Sequence, residues 1–504
     1  MHYLYSKKYK TIRITLVEYV KNTRFTLSLT SIFFICELAV MHFHEMWRDE
    51  LQAWLIAVHS TNPINLFHNI RYEGSPPLWH LLLFCLSRFT SNPIAMQLIS
   101  IAIATASVYL IARYSPFNRI QKILIAFGYF SFYEYGIIAR SYGLGVLFVI
   151  IFCVLMTAEH KNYLAIGLSI FLITQSNSIA VLLVPALIIY VLWNFLLSTS
   201  KENRSWSPLV LVGLISIVGL LLCYAQVRPP SDEVPVVGPK STGIGYAIAT
   251  VWESYAPIPQ RIATFWGSNF VTRVNDLVLL SSSLIVAAVI FFSRNIKILA
   301  TYIVGSAILI SFFELKYLAS LRHHGYLYIL FFACVWLLFA EQKKYKTGKG
   351  LILYQQIIIT LLISLQFIAG GVAVYQDINF PFSDAKTAAN YIKSSNLESL
   401  PIVGYLDYNT SPVLGYLNKT AYYPQSARWG SFVIWDLRRQ QPNTFNREID
   451  VSVKIAHDKN SDVLLISPFQ FNAYQAKKVK FIAKFNRSAA KDDEVYFLYL
   501  VPNR

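Results

Sequence analysis

Long apolar segments recur along this chain, and they constrain its fold more than any other feature. An α-helix needs about 20 predominantly apolar residues to cross a membrane, and about eleven stretches of this chain reach or approach that length. They are residues 25–41, 94–112, 123–139, 142–158, 163–176, 179–197, 208–226, 277–293, 297–313, 325–340 and 351–373. The sequence therefore predicts an all-α polytopic membrane domain over residues 25–375.

Composition agrees with a membrane protein. Hydrophobic residues make up 55% of the chain and charged residues 14%, whereas a soluble domain carries about 25% charge. The net charge of +17 would suit a nucleic-acid partner, but the Lys and Arg residues lie in short loops between the apolar segments. Membrane topology explains that placement. We therefore expect membrane lipids, and no nucleic acid, among the partners.

The basic residues also predict the orientation of the chain. Cytoplasmic loops carry an excess of Lys and Arg. With residues 1–24 as a basic cytoplasmic tail, every short basic loop, including Lys343–Lys349, falls on the cytoplasmic face. The loop at 45–93 and the chain after residue 375 then lie on the extracytoplasmic side.

Residues 376–504 differ in character from the rest of the chain. Asp384–Ser394 has the pattern of a capped amphipathic helix, and residues 401–405, 463–466 and 494–501 have the pattern of buried strands. The sequence predicts a small extracytoplasmic α/β domain here. Two roles are open for this domain. It either binds the acceptor or covers a membrane site as a lid, or it is a structural cap.

The first external loop, residues 45–93, carries the most chemistry. It gathers ionisable side chains beside the first apolar segment: Arg48, Asp49, Glu50, Glu73 and His80. Ionisable groups next to hydrocarbon are costly, so such a cluster is a candidate functional site. Within the loop, Leu78–Phe89 is too short to span a membrane and follows Pro76–Pro77. We expect it to form a helix that lies in the membrane interface.

Asp49 and Glu50 are adjacent, so on a helix they point about 100° apart and serve different groups. One is expected to act as a general base, and the other to orient a neighbour such as Arg48 or Arg140. Burial at the membrane edge would raise the pKa of such a base. Alternatively, the pair caps a surface helix. A divalent cation held by Asp49, Glu50 or Glu73 also stays open.

Further polar residues lie at the outer ends of helices: Arg140, Tyr142, Lys316, Arg322, His323 and His324. Positive residues on the outer face run against the positive-inside bias. Because a guanidinium binds phosphate oxygens in a bidentate fork, Arg140 and Arg322 are candidates for binding a lipid phosphate. The alternative for these residues is snorkelling to lipid headgroups.

Three stretches carry a family resemblance: Trp47–Glu50 (WRDE), Ser75–Leu83 (SPPLWHLLL) and Ala139–Leu144 (ARSYGL). In this order, with a basic outer helix end and an external α/β tail, they resemble the membrane-embedded (C class) glycosyltransferases that use polyprenyl-phosphate sugars. The chain is similar to bacterial relatives of protein O-mannosyltransferases and of the lipid A aminoarabinose transferase.

The resemblance implies an inverting transfer of a hexosyl or pentosyl group from a polyprenyl-phosphate donor to a lipid, glycan or protein acceptor. The family's acidic residue that deprotonates the acceptor maps to Asp49, with Glu50 beside it. The family's His-Pro-Pro-Leu motif is Ser75–Leu78 here, which leaves Glu73 and His80 as candidates to replace the lost His. The implied location is the bacterial cytoplasmic (inner) membrane, with the N-terminus in the cytoplasm. A transporter or flippase of lipid-linked glycans is the alternative function.

Overall fold

The structure is a computed structural model, and it describes residues 2–198, 205–234, 243–262, 264–317, 319–342, 348–439, 445–472, 477–489 and 494–503. For residues 2–21, 198, 445 and 446 it describes the backbone alone. Three of the four lysines in the run Lys343–Lys349, on which the predicted topology draws, lie outside the described residues.

Helices make up most of the described chain. In the first three quarters they are α1 (His2–Met41), α2 (Arg48–His59), α3 (Pro63–Asn69), α4 (Leu78–Ser87), α5 (Ile94–Tyr114), α6 (Arg119–Ala126), α7 (Tyr142–Thr157), α8 (Tyr163–Ser176), α9 (Val184–Ser198), α10 (Ser207–Val227), α11 (Ile244–Tyr255), α12 (Val274–Phe292), α13 (Ile296–Leu315), α14 (Leu321–Gln342) and α15 (Lys349–Asn379). The C-terminal part adds α16 (Ala385–Ser394), α17 (Asp407–Leu417) and α18 (Phe445–Lys459).

Eight of the described helices are long and apolar enough to cross a membrane: α1, α5, α9 with the 3-10 turn before it, α10, α12, α13, α14 and α15. The predicted spans 142–158 and 163–176 are the shorter helices α7 and α8. Helices suit a bilayer because they satisfy all their backbone hydrogen bonds internally. The prediction of a helical membrane part is confirmed.

The predicted span 123–139 is not one continuous helix, and the prediction is wrong there. Helix α6 ends early, and a π-helical segment covers Tyr129–Ile137. Helix α15 passes close to the break at Gly370, where a Cβ atom would lie only 2.7 Å from the carbonyl oxygen of Phe127. Such π-helical segments occur frequently at functional sites. Here the segment leads directly into Arg140.

The first external loop folds into three short helices, α2, α3 and α4, with a 3-10 turn at Ile70–Tyr72. The helix expected at Leu78–Phe89 is present as α4. Helices α2 and α4 pack together through a buried apolar cluster that includes Leu51, Trp54 and Trp79. The loop is therefore an ordered layer at one end of the helix bundle.

The C-terminal part is a small α/β unit around a six-stranded sheet. Its strands are β1 (Ile402–Gly404), β2 (Ala421–Tyr423), β3 (Arg428–Gly430), β4 (Val463–Ser467), β5 (Lys480–Phe485) and β6 (Tyr496–Val501), in the order β3-β2-β1-β4-β6-β5. Strand β1 pairs in parallel with β2 and β4, and the other pairs are antiparallel. The predicted helix at Asp384–Ser394 and the three predicted strands are confirmed as α16, β1, β4 and β6.

The C-terminal unit packs directly onto the first external loop. The backbone N–H of Met46 donates to the Tyr416 hydroxyl over 2.7 Å, and the backbone N–H of Arg48 donates to the Glu494 carboxylate over 3.0 Å. Gly415 of α17 lies against Leu51 of α2, where a Cβ atom would come within 2.9 Å of the leucine side chain. The loop and the C-terminal unit thus lie at the same end of the helix bundle.

Candidate active site

Asp49 lies at the centre of a cluster of charges at this end of the bundle. It is the second residue of α2, and its side chain is 31% exposed. One of its carboxylate oxygens, Oδ2, is 2.8 Å from Nη1 of Arg140 and 3.2 Å from Nη2 of Arg322. These residues come from α2, from the chain just after the π-helical segment, and from the first turn of α14. The structure thus brings together the three residues that the sequence singled out for acid–base chemistry and phosphate binding.

Two tryptophans flank the Arg322 guanidinium. Its central carbon lies 5.4 Å from the ring centroid of Trp47 and 5.3 Å from that of Trp266. The two rings meet edge to face with centroids 4.7 Å apart. Cation–π attraction and the stiffness of both rings therefore hold the guanidinium in place.

Glu134 fixes Trp266, and sequence reasoning missed both residues. The Glu134 carboxylate accepts hydrogen bonds from the Trp266 indole N–H over 3.0 Å and from the Tyr129 hydroxyl over 2.8 Å. A usable signal was present, because an acid inside an apolar segment is a functional-site candidate by default. Trp266 lies in a loop without a regular pattern, and nothing local marked it.

Several buried polar atoms of this region have no hydrogen-bond partner among the described residues. They include two donors, Nε of Arg322 and the indole Nε1 of Trp47, and both ring nitrogens of His80, of which one is a donor and the other an acceptor in a neutral imidazole. Buried polar atoms in folded proteins are nearly always paired, so unpaired atoms need an explanation. Arg322 belongs to the guanidinium pair at Asp49, so part of its hydrogen-bonding capacity is not used within the described residues.

The pKa of Asp49 is shifted opposite to the expectation from the sequence. Burial alone would raise it, but the positive charges of Arg140, Arg322 and Arg48 outweigh burial and lower the pKa below its usual value. Asp49 is therefore an ionised counter-ion of these arginines. The prediction considered desolvation and did not include two guanidiniums that lie far away in sequence.

Glu50 lies buried among other partners and is not part of this cluster. Its carboxylate accepts hydrogen bonds from the backbone N–H of Trp47 over 3.1 Å and of Ala139 over 2.7 Å. Trp47 is the N-cap of α2, so it is Glu50, and not Asp49, that satisfies the start of the helix. As predicted, the carboxylates of Asp49 and Glu50 have different partners. Glu50, however, binds the backbone N–H of Ala139, next to Arg140, and does not orient a guanidinium.

His44 joins Glu50 to Asp377 in a buried network. Its Nδ1 lies 2.7 Å from Oδ2 of Asp377, and its Nε2 lies 3.2 Å from Oε2 of Glu50. Burial alone would lower the pKa of His44, but the two carboxylates outweigh burial and raise it to about 10. The imidazolium therefore ties the first external loop to the end of α15. Asp377 lies beyond the predicted end of the last span, and sequence reasoning missed it.

Tyr142 and His323 form one side of the candidate site. The backbone N–H of Ser320 lies 3.0 Å from Nδ1 of His323, and it can only donate. That nitrogen is therefore an acceptor, and Nε2 carries the proton that it donates to the Tyr142 oxygen over 2.9 Å. The hydroxyl hydrogen of Tyr142 is then left for another acceptor. The Tyr142 ring centroid lies 5.8 Å from the Arg140 guanidinium.

Glu73 and His80 lie near Arg140. Glu73 is half-buried and accepts a hydrogen bond from Nε2 of Gln52 over 2.8 Å. Burial raises the pKa of Glu73 to about 7, against opposing effects of the Gln52 hydrogen bond and Arg140. Burial, assisted by the charge of Arg140, lowers the pKa of His80 to about 3, so this imidazole is neutral.

The remaining predicted residues differ in their relation to the cluster. The Arg48 guanidinium lies 5.4 Å from the ring of Tyr408 in the C-terminal unit, and its charge contributes to the lowered pKa of Asp49. His324 pairs with Glu253 of α11 over 2.9 Å. Lys316 is exposed at the end of α13 and shows no contact with the cluster. The structure therefore does not bring His324 or Lys316 into the candidate site.

Within the described residues, no group of three His, Cys, Asp or Glu side chains is arranged to hold a metal ion. Asp49 pairs with guanidiniums, Glu50 with backbone donors and His44, and Glu73 with Gln52. The divalent cation that the sequence left open therefore finds no ligand set there.

No protein-family model matches this chain. No curated protein matches it either. Among solved structures it is similar to the crystal structure of ArnT from Cupriavidus metallidurans bound to undecaprenyl phosphate, with 12% sequence identity and a TM-score of 0.45. That similarity covers 94% of this chain and 97% of the other.

Proposed function

We propose that this chain is an integral-membrane glycosyltransferase that transfers a sugar from a polyprenyl-phosphate donor to an acceptor. One observation carries the proposal. Arg140 and Arg322 converge from different elements on a single oxygen of Asp49, at one end of a bundle of apolar helices. This arrangement supplies a phosphate-binding pair and a carboxylate at the place where a lipid-linked substrate would present its phosphate.

The charges of the site suit a phosphodiester. Two guanidiniums and one carboxylate leave a single net positive charge, which the single negative charge of a polyprenyl-phosphate sugar neutralises. A guanidinium offers several N–H donors in a planar fork, so each arginine can turn donors from Asp49 to phosphate oxygens. The unpaired Nε of Arg322 adds a donor that the carboxylate does not use.

In the proposed reaction Asp49 is the general base. The acceptor oxygen attacks the anomeric carbon in line with the departing phosphate, so the configuration of that carbon is inverted. A carbon–oxygen bond to the acceptor forms, the bond to the phosphate oxygen breaks, and the acceptor proton moves to Asp49. The leaving polyprenyl phosphate gains a second negative charge as Asp49 loses its own. The net charge around Arg140 and Arg322 stays constant, which is favourable in a low-dielectric site.

Donor binding also prepares the base. While they pair with Asp49, the two guanidiniums hold its pKa low. When phosphate oxygens take over their N–H donors, the carboxylate loses hydrogen bonds and faces a second negative charge. Both changes raise the pKa of Asp49, so that its carboxylate can take the proton of the acceptor.

The charge asymmetry of the loops supports a location of this site on the extracytoplasmic face of a bacterial inner membrane. The acceptor, a lipid, glycan or protein, would then approach from the side of the C-terminal unit. The transferred group is a hexosyl or pentosyl residue, as the family resemblance implies. A flippase of lipid-linked glycans is the rival function, and it would leave the sugar on its carrier.

The decisive experiment measures release of the carrier. Purified protein in liposomes is incubated with a panel of radiolabelled polyprenyl-phosphate sugars and extracts that contain candidate acceptors, and free polyprenyl phosphate is quantified. The proposal expects release with at least one donor, and none with a variant in which both Arg140 and Arg322 are replaced. Movement of an intact donor across the bilayer without release would establish the flippase function instead.

Lysine variants of the two arginines test the phosphate fork. Arg140→Lys and Arg322→Lys keep the charge but lose the planar pair of donors, so each should weaken binding of a polyprenyl-phosphate sugar by about 1–3 kcal/mol. Binding is measured by quenching of tryptophan fluorescence, because Trp47 and Trp266 flank Arg322. Lys316→Arg is the control, because Lys316 lies shortly before Arg322 in sequence but outside the cluster. This variant should bind the polyprenyl-phosphate sugar normally. Unchanged affinity in both lysine variants would contradict the assignment.

A further inference from the structure

One segment of the C-terminal unit lies across the first external loop. We call Ser431–Leu437 the strap. The Ser431 hydroxyl lies 2.9 Å from Nδ1 of His59 at the end of α2. Phe432 packs against the small apolar cluster of Ile56, Leu66 and Ile70. The strap therefore contacts the layer formed by α2 and α3.

The strap binds Gln52 of α2 through its backbone. Nε2 of Gln52 donates to the Val433 carbonyl over 2.9 Å, and the Val433 N–H donates to Oε1 of Gln52 over 2.9 Å. The second hydrogen of the same Nε2 group goes to Oε1 of Glu73 over 2.8 Å. Gln52 is 9% exposed, and its amide uses both donors and its acceptor in these contacts. It thus connects the strap to Glu73.

The other end of the strap braces the turn before Glu73. The Leu437 N–H donates to the Asp232 carbonyl over 2.8 Å, next to the bridge between Glu233 and Asp436. The Asp232 carboxylate in turn accepts hydrogen bonds from the Tyr72 hydroxyl over 2.8 Å and from Nη2 of Arg71 over 3.2 Å. The strap thus contacts both Gln52, the side-chain partner of Glu73, and Asp232, the partner of the two residues that precede Glu73.

We propose that Gln52 is a positioning residue through which the C-terminal unit holds the Glu73 carboxylate near Arg140. This inference rests on the proposed function, because it assigns Glu73 an influence on the arginine that would bind the donor phosphate. It gives the C-terminal unit a role in building the site. A purely structural cap would need no polar connection to a carboxylate of the site.

The connection has a measurable electrostatic consequence. The charged groups near Glu73 are Arg140, Asp49 and Glu233. The Gln52 N–H stabilises the ionised form of Glu73, whose pKa is about 7. An ionised Glu73 competes with phosphate for Arg140. Phosphodiester binding should therefore weaken as pH rises through the pKa of Glu73, and without Gln52 that midpoint should move upward.

The test uses the full-length protein and a farnesyl methyl phosphodiester, which keeps one negative charge between about pH 5 and about pH 9. Its affinity is measured against pH by tryptophan fluorescence. Wild type should bind more weakly above about pH 7, and Gln52→Met should shift the midpoint upward by about one pH unit, the effect of one hydrogen bond to a charged group. Glu73→Gln should remove the pH dependence of affinity. In that background, Gln52→Met should cause no further change in the pH profile.

Tyr416→Phe is the matched control. It removes a hydrogen bond of similar length between the C-terminal unit and the first external loop, away from the strap. It should leave the midpoint unchanged. An unshifted midpoint in Gln52→Met, or an equal shift in Tyr416→Phe, would overturn the positioning role. Failure of wild type to bind the phosphodiester at any pH would instead overturn the phosphate site of the proposed function.

Discussion

Replacing Asp49 with Asn should lower turnover by roughly 10²–10⁴-fold, the usual contribution of a positioned general base. The same variant should bind a polyprenyl phosphate more tightly than wild type, because Asp49 competes with phosphate for Arg140 and Arg322. Removal of that competing charge should strengthen binding by about 1–3 kcal/mol. Single-turnover release of polyprenyl phosphate and equilibrium binding measure the two effects separately.

Opposite changes in affinity and turnover distinguish the base from a merely structural residue. Asp49 is also the counter-ion of both arginines, so the Asn variant should have a lower Tm than wild type, and a bound phosphate ligand should restore part of that loss. Glu73→Gln is the comparison, since its carboxylate lies near the same arginine and has a pKa of about 7. If Asp49→Asn turns over normally and Glu73→Gln does not, the base is Glu73, and activity should then fall as pH drops through about 7.

Replacing the neighbouring Glu50 with Gln should destabilise the folded protein. The carboxylate oxygens of Glu50 face three partners, His44 and the backbone N–H groups of Trp47 and Ala139. A Gln side chain has one oxygen and no charge, so a donor and the imidazolium both lose their partner. Breaking a buried ion pair in this way costs about 3–5 kcal/mol. Thermal unfolding in detergent should show a clear fall in Tm, and a normal Tm with reduced turnover would place Glu50 in the chemistry.

The same network predicts how stability changes with pH. The pKa of His44 is about 10 in the folded protein, against an ordinary value of 6.5. A raised pKa means that its contribution is fully present below about pH 6.5 and is lost as pH rises through about 10. Wild type should therefore lose stability in this alkaline window. Glu50→Gln, in which one carboxylate partner is gone, should show a smaller loss, and equal losses in both proteins would contradict the coupling.

The helical architecture could be predicted because it depends on composition over long windows. Apolar segments, turn residues and the alternating pattern of residues 376–504 are local signals, and most of them correspond to helices or strands of the structure. The break at Tyr129–Ile137 could not be predicted in this way. It depends on the close approach of α15 at Gly370, which is a contact between distant parts of the chain.

The candidate site also contains residues with a local sequence signal and residues whose roles depend on contacts between distant parts of the chain. Asp49, Arg140 and Arg322 could be singled out because a charge at a membrane edge needs a reason. The roles of Glu50 and His324 could not be told, because they depend on which partner each side chain meets. The direction of the Asp49 pKa shift depends on arginines that lie 91 and 273 residues away in sequence. Trp266 and Asp377 enter the site or its supports only through the tertiary fold.

The pairing of Asp49 with two guanidiniums also has a consequence for the binding of ordinary membrane phospholipids. A bilayer presents phospholipid phosphates in large excess at the depth of its headgroups, and an uncompensated pair of arginines there would bind them indiscriminately. The Asp49 carboxylate already pairs with both arginines, so an anion binds them only if it displaces that carboxylate. The proposed donor has a sugar and an isoprenoid chain that a common phospholipid lacks, and contacts to these parts would favour its entry. If the proposed function is right, the pairing of Asp49 with Arg140 and Arg322 should therefore disfavour binding of ordinary phospholipids.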